Sequence, residues 1–93
     1  MIKLFTSEGC VNCRSTKKLL QRLLQEFGSS YENEVLELDI KDPDALAELL
    51  MLNTEYVPTV IIGEVILTGK DVTDEGKIRA ALTRSLKNAP SNR

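Results

Sequence analysis

Apolar residues recur along the chain with two periods, and the switches between them divide it into seven segments. Ile2-Lys3-Leu4-Phe5-Thr6 is a short β-type run, so residues 1–6 read as a strand closed by the turn Ser7-Glu8-Gly9. From Val11 to Phe27 the period lengthens. Leu19, Leu20, Leu23, Leu24 and Phe27 recur at three- and four-residue spacing, with Lys17, Lys18, Gln21, Arg22, Gln25 and Glu26 on the other side. This is an amphipathic helix, and Gly28 is expected to end it as a left-handed cap, with Ser29 and Ser30 continuing the loop. Residues 34–39 carry Val35, Leu36 and Leu38 among acids and read as a second strand.

Asp42-Pro43-Asp44 is a helix start: Asp42 suits the N-cap, Pro43 the first helical position, and Asp44 the positive end of the dipole. Ala45, Leu46, Leu49, Leu50 and Leu52 supply that helix's apolar stripe, and Asn53 or Thr54 ends it. Val57-Pro58-Thr59 then opens a third strand, Val60-Ile61-Ile62. Gly63-Glu64 matches a two-residue hairpin turn with Gly first, the type II′ preference, and Val65-Ile66-Leu67 returns as the fourth strand. Thr68-Gly69-Lys70-Asp71 reads as a loop. Thr73 or Asp71 would cap a last helix bearing Ile78, Leu82 and Leu86. The order is β-α-β-α-β-β-α. A helix joins the first two strands, so they are parallel with a right-handed crossover, and the last two form a hairpin. The fold class is α/β, a mixed four-stranded sheet flanked by helices.

The 93 residues fit one domain, assigned to residues 1–87, with 88–93 as a disordered tail because nothing apolar beyond Ala89 anchors it. Net charge is −2 and uneven: residues 1–31 carry five Lys/Arg against two acids, residues 32–55 one against eight, and residues 56–93 six against four. No basic cluster is dense or aromatic-interleaved enough for a nucleic-acid surface. No apolar run reaches the ~20 residues of a membrane span, and no secretory signal is evident. A reducing cytoplasm is the expected setting. Of the four aromatics, Phe5 and Phe27 read as core, and Tyr56 would border any site built around Val57.

Both cysteines lie in Gly9-Cys10-Val11-Asn12-Cys13, between the first strand and the first helix. A helix N-terminus presents unpaired N–H groups and partial positive charge, and both stabilise a thiolate at Cys10. Cys13 lies three residues on, on the same helical face, positioned to attack a mixed disulfide formed at Cys10. A structural crosslink this short would remove little unfolded-state entropy. A four-ligand zinc site lacks histidines and a second cysteine pair, so no metal is expected within one chain, though one shared across a dimer stays open. Arg14, one turn beyond Cys10, either favours its thiolate or solvates the helix. Asp39 is either a proton acceptor beneath the cysteines or a strand-end acid that is solvated or pairs with its loop. Asp71 is either a helix cap or a ligand contact.

With Cys10-Val11-Asn12-Cys13 after the first strand, Val57-Pro58-Thr59 before the hairpin, and this element order, the chain resembles the glutaredoxin and thioredoxin-like small redoxins. The resemblance covers roughly residues 1–87 and implies the thioredoxin fold and thiol–disulfide oxidoreduction. Cys10 and Cys13 would be the catalytic pair acting on disulfide-containing protein substrates. It also implies a cis Pro58 beside the cysteines, with the Val57 backbone turned outward to pair with an extended peptide. Gly69 and Asp71 match half of a glutathione-binding signature, whose lysine is replaced here by Ser7. Gly9 to Cys13, followed by Ser15-Thr16-Lys17-Lys18, is similar to the active-site segment of NrdH-type redoxins, whose Ser-Gly-Phe loop is absent. No bound cofactor is implied. The reductant is either glutathione or an NADPH-dependent flavoenzyme of the thioredoxin-reductase type, and the expected state is a monomer. The alternative carried by the same resemblance is a dimeric iron–sulfur or metal-binding module.

Overall fold

The computed structural model describes residues 2–28, 31, 34–53 and 57–86. The expectations for Tyr56 and for the 88–93 tail lie outside them. Strand β1 (Ile2–Thr6) leads into helix α1 (Val11–Phe27), then β2 (Val35–Asp39), α2 (Pro43–Met51), β3 (Thr59–Ile62), β4 (Val65–Leu67), a 3-10 turn over Gly69–Thr73, and α3 (Glu75–Leu86). The sheet order is β2-β1-β3-β4. β1 pairs parallel with β2 and antiparallel with β3, and β3 pairs antiparallel with β4. This is the mixed four-stranded α/β arrangement that the element order implies.

Alternation along each strand sorts side chains to two faces. Ile2, Leu4, Val60, Ile62 and Leu67 meet Leu20, Leu23 and Leu24 of α1 and Ile78, Ala81 and Leu82 of α3 in one buried cluster. Two cross-helix pairs lace α1 to α3, Arg22 to Glu75 at 2.8 Å and Arg79 to Glu26 at 3.1 Å, and Arg79 also pairs with Glu75 at 3.1 Å within α3. The other face carries Lys3 and Phe5. There Phe5, Ala45 and Leu49 are buried, and Lys3 bonds Glu48 of α2. The expected apolar stripe of α2 is only half used, since Leu46 and Leu50 are 38% and 50% exposed.

Start and stop signals account for most element ends. Asp42 caps α2, its carboxylate accepting from Asp44 N–H at 2.9 Å with Pro43 at the first turn. Asn53 follows that helix with φ +61, a left-handed conformation Asn tolerates. At the hairpin only Gly63, with φ +62, is left-handed, as a type II′ turn requires.

Three expectations are corrected. Gly28 is not a left-handed helical cap. It sits at φ 147, ψ 135, where the chain leaves α1 extended, and the Tyr31 ring lies 3.3 Å from where a Cβ would project. Residues 69–73 form a 3-10 turn rather than a loop. In consequence α3 starts later than expected, and its cap is neither Thr73 nor Asp71 but Asp74, which accepts from Lys77 N–H at 3.1 Å.

Candidate active site

The site is built where β1 hands over to α1. Cys10 N–H donates to Ser7 C=O at 3.2 Å, closing a turn in which Gly9 takes φ +82. The turn sets Cys10 at the N-cap of α1, with φ −76 and ψ 111. There its Sγ accepts the backbone N–H of Cys13 at 3.1 Å. The two sulfurs form a disulfide with Cα atoms 5.4 Å apart. Cys10 is half-buried, whereas Cys13 is only 7% exposed. Exposure and electrostatics therefore favour the same sulfur. The outer one, at Cys10, is reachable and already faces an N–H donor that would hold negative charge on it.

Two hollows flank the pair. The first, about 380 Å³, is lined by Cys10, Cys13, Thr6, Ser7 and Gly9 together with Arg14, Lys17, Lys41, Glu8, Glu37 and Asp39. Its charges balance largely by pairing: Lys17 to Glu37 at 2.8 Å, and Lys41 to Glu8 at 3.5 Å. Asp39 is exposed, and one carboxylate oxygen accepts the Lys41 N–H at 2.9 Å. It thus pairs with its loop while lining the same hollow as the sulfurs. Ser7 stands here as well.

The second hollow, about 340 Å³, is lined by Asn12, Val57, Pro58, Gly69, Lys70 and Thr73. The Val57–Pro58 bond is cis and Pro58 is buried. Gly69 takes φ +61 with open space where a Cβ would stand. Asp71 is not in this lining; its carboxylate accepts from Lys77 Nζ at 2.8 Å, and Asp71 draws the lysine's pKa above its ordinary value. Of the six residues singled out from the sequence, Cys10 and Cys13 line the first hollow, Val57, Pro58 and Gly69 line the second beside Asn12, which lies between the cysteines in the chain, and Asp71 is in neither lining.

Reading the sequence missed Asn12 and Thr73 on one side and Glu37 on the other, whereas Lys70 is a candidate to replace the charge absent at Ser7. Glu37 was legible in principle. The parallel register sets Leu4 against Glu37 and Thr6 against Asp39, so the end of β2 must border whatever follows β1. Thr73 enters only because the 3-10 turn folds residues 69–73 back toward Pro58, for which no periodicity gives notice. Among the described residues, no three His, Cys, Asp or Glu side chains gather as a metal site would need.

A family model described as a thioredoxin domain matches residues 1–83. The chain belongs to the thioredoxin-domain family. One relative, described as a probable thioredoxin from Archaeoglobus fulgidus, is 32% identical over 87 residues, covering 94% of this chain and 89% of the relative. In a thioredoxin-domain protein, a close cysteine pair at a helix start supports thiol–disulfide oxidoreductase activity in general terms. Among the described residues, no helix of this thioredoxin-domain protein is long and apolar enough to cross a membrane.

Proposed function

We propose that this thioredoxin-domain protein reduces protein disulfides, with Cys10 as the attacking thiol and Cys13 as the resolving one. The observation that carries the assignment is the 3.1 Å contact from Cys13 N–H to Cys10 Sγ, on the more exposed of the two cysteines. A hydrogen bond to a charged group contributes about 1.5–3 kcal/mol, and here it acts on the outer sulfur when that sulfur is a thiolate. Cys10 thiolate attacks a target disulfide, forming one S–S bond and expelling one target thiolate. Cys13 thiolate then attacks Cys10 Sγ, the second target sulfur leaves, and the Cys10–Cys13 disulfide closes. Two electrons pass to the target, and its thiolates take protons from solvent. An extended target strand would lie in the cleft of Val57, Pro58 and Gly69, with Lys70 facing it and Asp71 behind. Cys13→Ser should accumulate a mixed disulfide with a protein substrate, while Cys10→Ser should not. Trapping through Cys13 instead would overturn the assignment.

For the reductant, we favour a thioredoxin-reductase-type flavoenzyme over glutathione, in keeping with the NrdH-like active-site segment. Ser7 offers no cation to a tripeptide carboxylate, and the loss of one charge-assisted contact costs roughly 1.5–3 kcal/mol, about ten- to hundred-fold in affinity. Two neighbouring lysines, Lys17 and Lys41, are already paired. The oxidised protein should be reduced faster by NADPH plus such a reductase than by millimolar glutathione, and Ser7→Lys should improve glutathione use. Efficient reduction by glutathione and none by several reductases would reverse the preference. A carrier of this kind, a monomer with no bound cofactor, suits a reducing cytoplasm.

A further inference from the structure

The buried stripe of α1 runs Cys13, Thr16, Leu20, Leu23, Leu24. Four of these are apolar or sulfur-bearing, and Thr16 is the exception. It is 0% exposed, and its Oγ1 is the single buried side-chain nitrogen or oxygen among the described residues that lacks a hydrogen-bond partner. A threonine inside a helix ordinarily donates to the carbonyl three or four residues back. Thr16 does not, although Cys13 and Asn12 stand at those positions. A buried hydroxyl left unpaired destabilises the state in which it is unpaired. That state is the disulfide form.

Thr16 lies three residues beyond Cys13, one turn further along the same inward face, so the two side chains are neighbours. In the closed pair, the bond to Cys10 fixes Cys13 Sγ where it makes no hydrogen bond with Thr16 Oγ1, although a disulfide sulfur can accept, as Cys10 Sγ does from Cys13 N–H. Reduction frees the Cys13 side chain, so that Sγ can turn toward Thr16, and gives the sulfur a charge or a proton. The Sγ–Sγ bond breaks, two electrons arrive from a dithiol donor that is itself oxidised, and each sulfur becomes a thiolate or takes a proton from solvent. Cys13 thiolate accepts from Thr16 Oγ1–H, and Cys13 thiol donates its S–H to the same oxygen. We infer that Thr16 is a positioning residue whose orphaned hydroxyl is satisfied by the Cys13 sulfur only when the disulfide opens. It biases the pair toward the reduced form and holds the resolving thiol inward. This rests on the reading of Cys10–Cys13 as a reversible redox couple.

The test is redox equilibration of the purified chain in graded mixtures of reduced and oxidised dithiothreitol, reading the fraction of disulfide. Thr16→Val keeps the shape and removes the hydroxyl. It should make the disulfide about five- to tenfold harder to reduce, a midpoint about 20–30 mV more negative for this two-electron couple. Thr16→Ser should stay within about twofold of wild type, because it keeps the oxygen. Thermal unfolding should separate along the same line: Thr16→Val lowers the stability of the reduced form and not that of the oxidised one. A wild-type midpoint in Thr16→Val, or a Thr16→Ser shift as large as that of Val, would overturn the inference. If Thr16→Val does not fold, the difference between Thr16→Ser and Thr16→Ala reads the same hydroxyl. A wild-type pair that fails to equilibrate at all would fell the redox reading itself, an outcome distinct from coincident midpoints.

Discussion

Val11 is 83% exposed, opens α1 and sits between the two cysteines, so replacing it with proline tests how the site is assembled. Three features of the local geometry decide the outcome. The first helical residue has no intrahelical partner for its N–H, so proline's missing donor removes nothing from the helix. The donor to Cys10 Sγ is the N–H of Cys13, two residues further on, and it is untouched. Cys10, at φ −76 and ψ 111, is already extended, as a residue before proline must be. Because the valine is exposed, little buried surface is forfeited. What remains is the restriction of the unfolded chain, which stabilises by about 0.4–1 kcal/mol at a compatible site. For a domain of this size that corresponds to a rise of about 2–8 °C in Tm. Thermal unfolding of oxidised Val11→Pro, followed by far-ultraviolet circular dichroism, measures it, and turnover of a protein disulfide with a fixed donor should be retained. A fall of several degrees would refute the reasoning, because it would mean that the Val11 N–H carries a bond or that Cys10 must leave its extended conformation.

Three further expectations concern stability. Leu23→Ala, at a fully buried position facing the sheet, should cost about 2–5 kcal/mol in urea unfolding. A loss under 1 kcal/mol would contradict the packing of α1. Asp42→Ala should cost about 1 kcal/mol and Asp42→Asn much less, since only the former loses the acceptor for Asp44 N–H; equal losses would discount the cap. Glu75 is held below its ordinary value of 4.5 chiefly by the Arg22 hydrogen bond, with Arg79 assisting. A lowered carboxyl pKa gives stability that is present above the ordinary value and lost as pH falls through the folded one. Wild type should therefore exceed Glu75→Gln at neutral pH and converge with it in acid, whereas a gap independent of pH would show that the carboxylate charge is not the cause.

What the sequence made legible was local and in chain order. The span Val11–Phe27 follows from leucines repeating every three or four residues, because a helix with one buried face admits no other spacing. Asp42-Pro43 marks its helix start because the cap acts within three residues. The last helix was harder, since Asp71, Thr73 and Asp74 are all capping types. The choice among them falls to the 3-10 turn over Gly69–Thr73, which consumes the first two. Gly28 is legible as the residue that ends the helix, but glycine permits several conformations at positive φ, and local sequence does not choose among them. Leu46 and Leu50 share the period of Leu49, yet only Leu49 is fully covered. How a nine-residue helix rolls on its face of the sheet depends on tertiary partners such as Lys3 against Glu48. The cysteine pair and Pro58 were evident in the same way. Glu37 comes in by strand register and Thr73 by the fold of a turn, and both are set by contacts between distant segments.

The Cα atoms of Cys10 and Cys13 stand 5.4 Å apart, close to the distance that one helical turn gives any residues three apart. Opening or closing the bond therefore asks of the backbone nothing it does not already provide. Bond exchange becomes an affair of side-chain torsions, with no hinge to swing and no segment to refold between turnovers. On the redox reading proposed above, cycling is then set by how fast the sulfurs react. A partner distant from the sulfurs should then meet the same surface whether the pair is open or closed. Whatever distinguishes the two forms must touch the sulfurs themselves or the few groups within a turn of them.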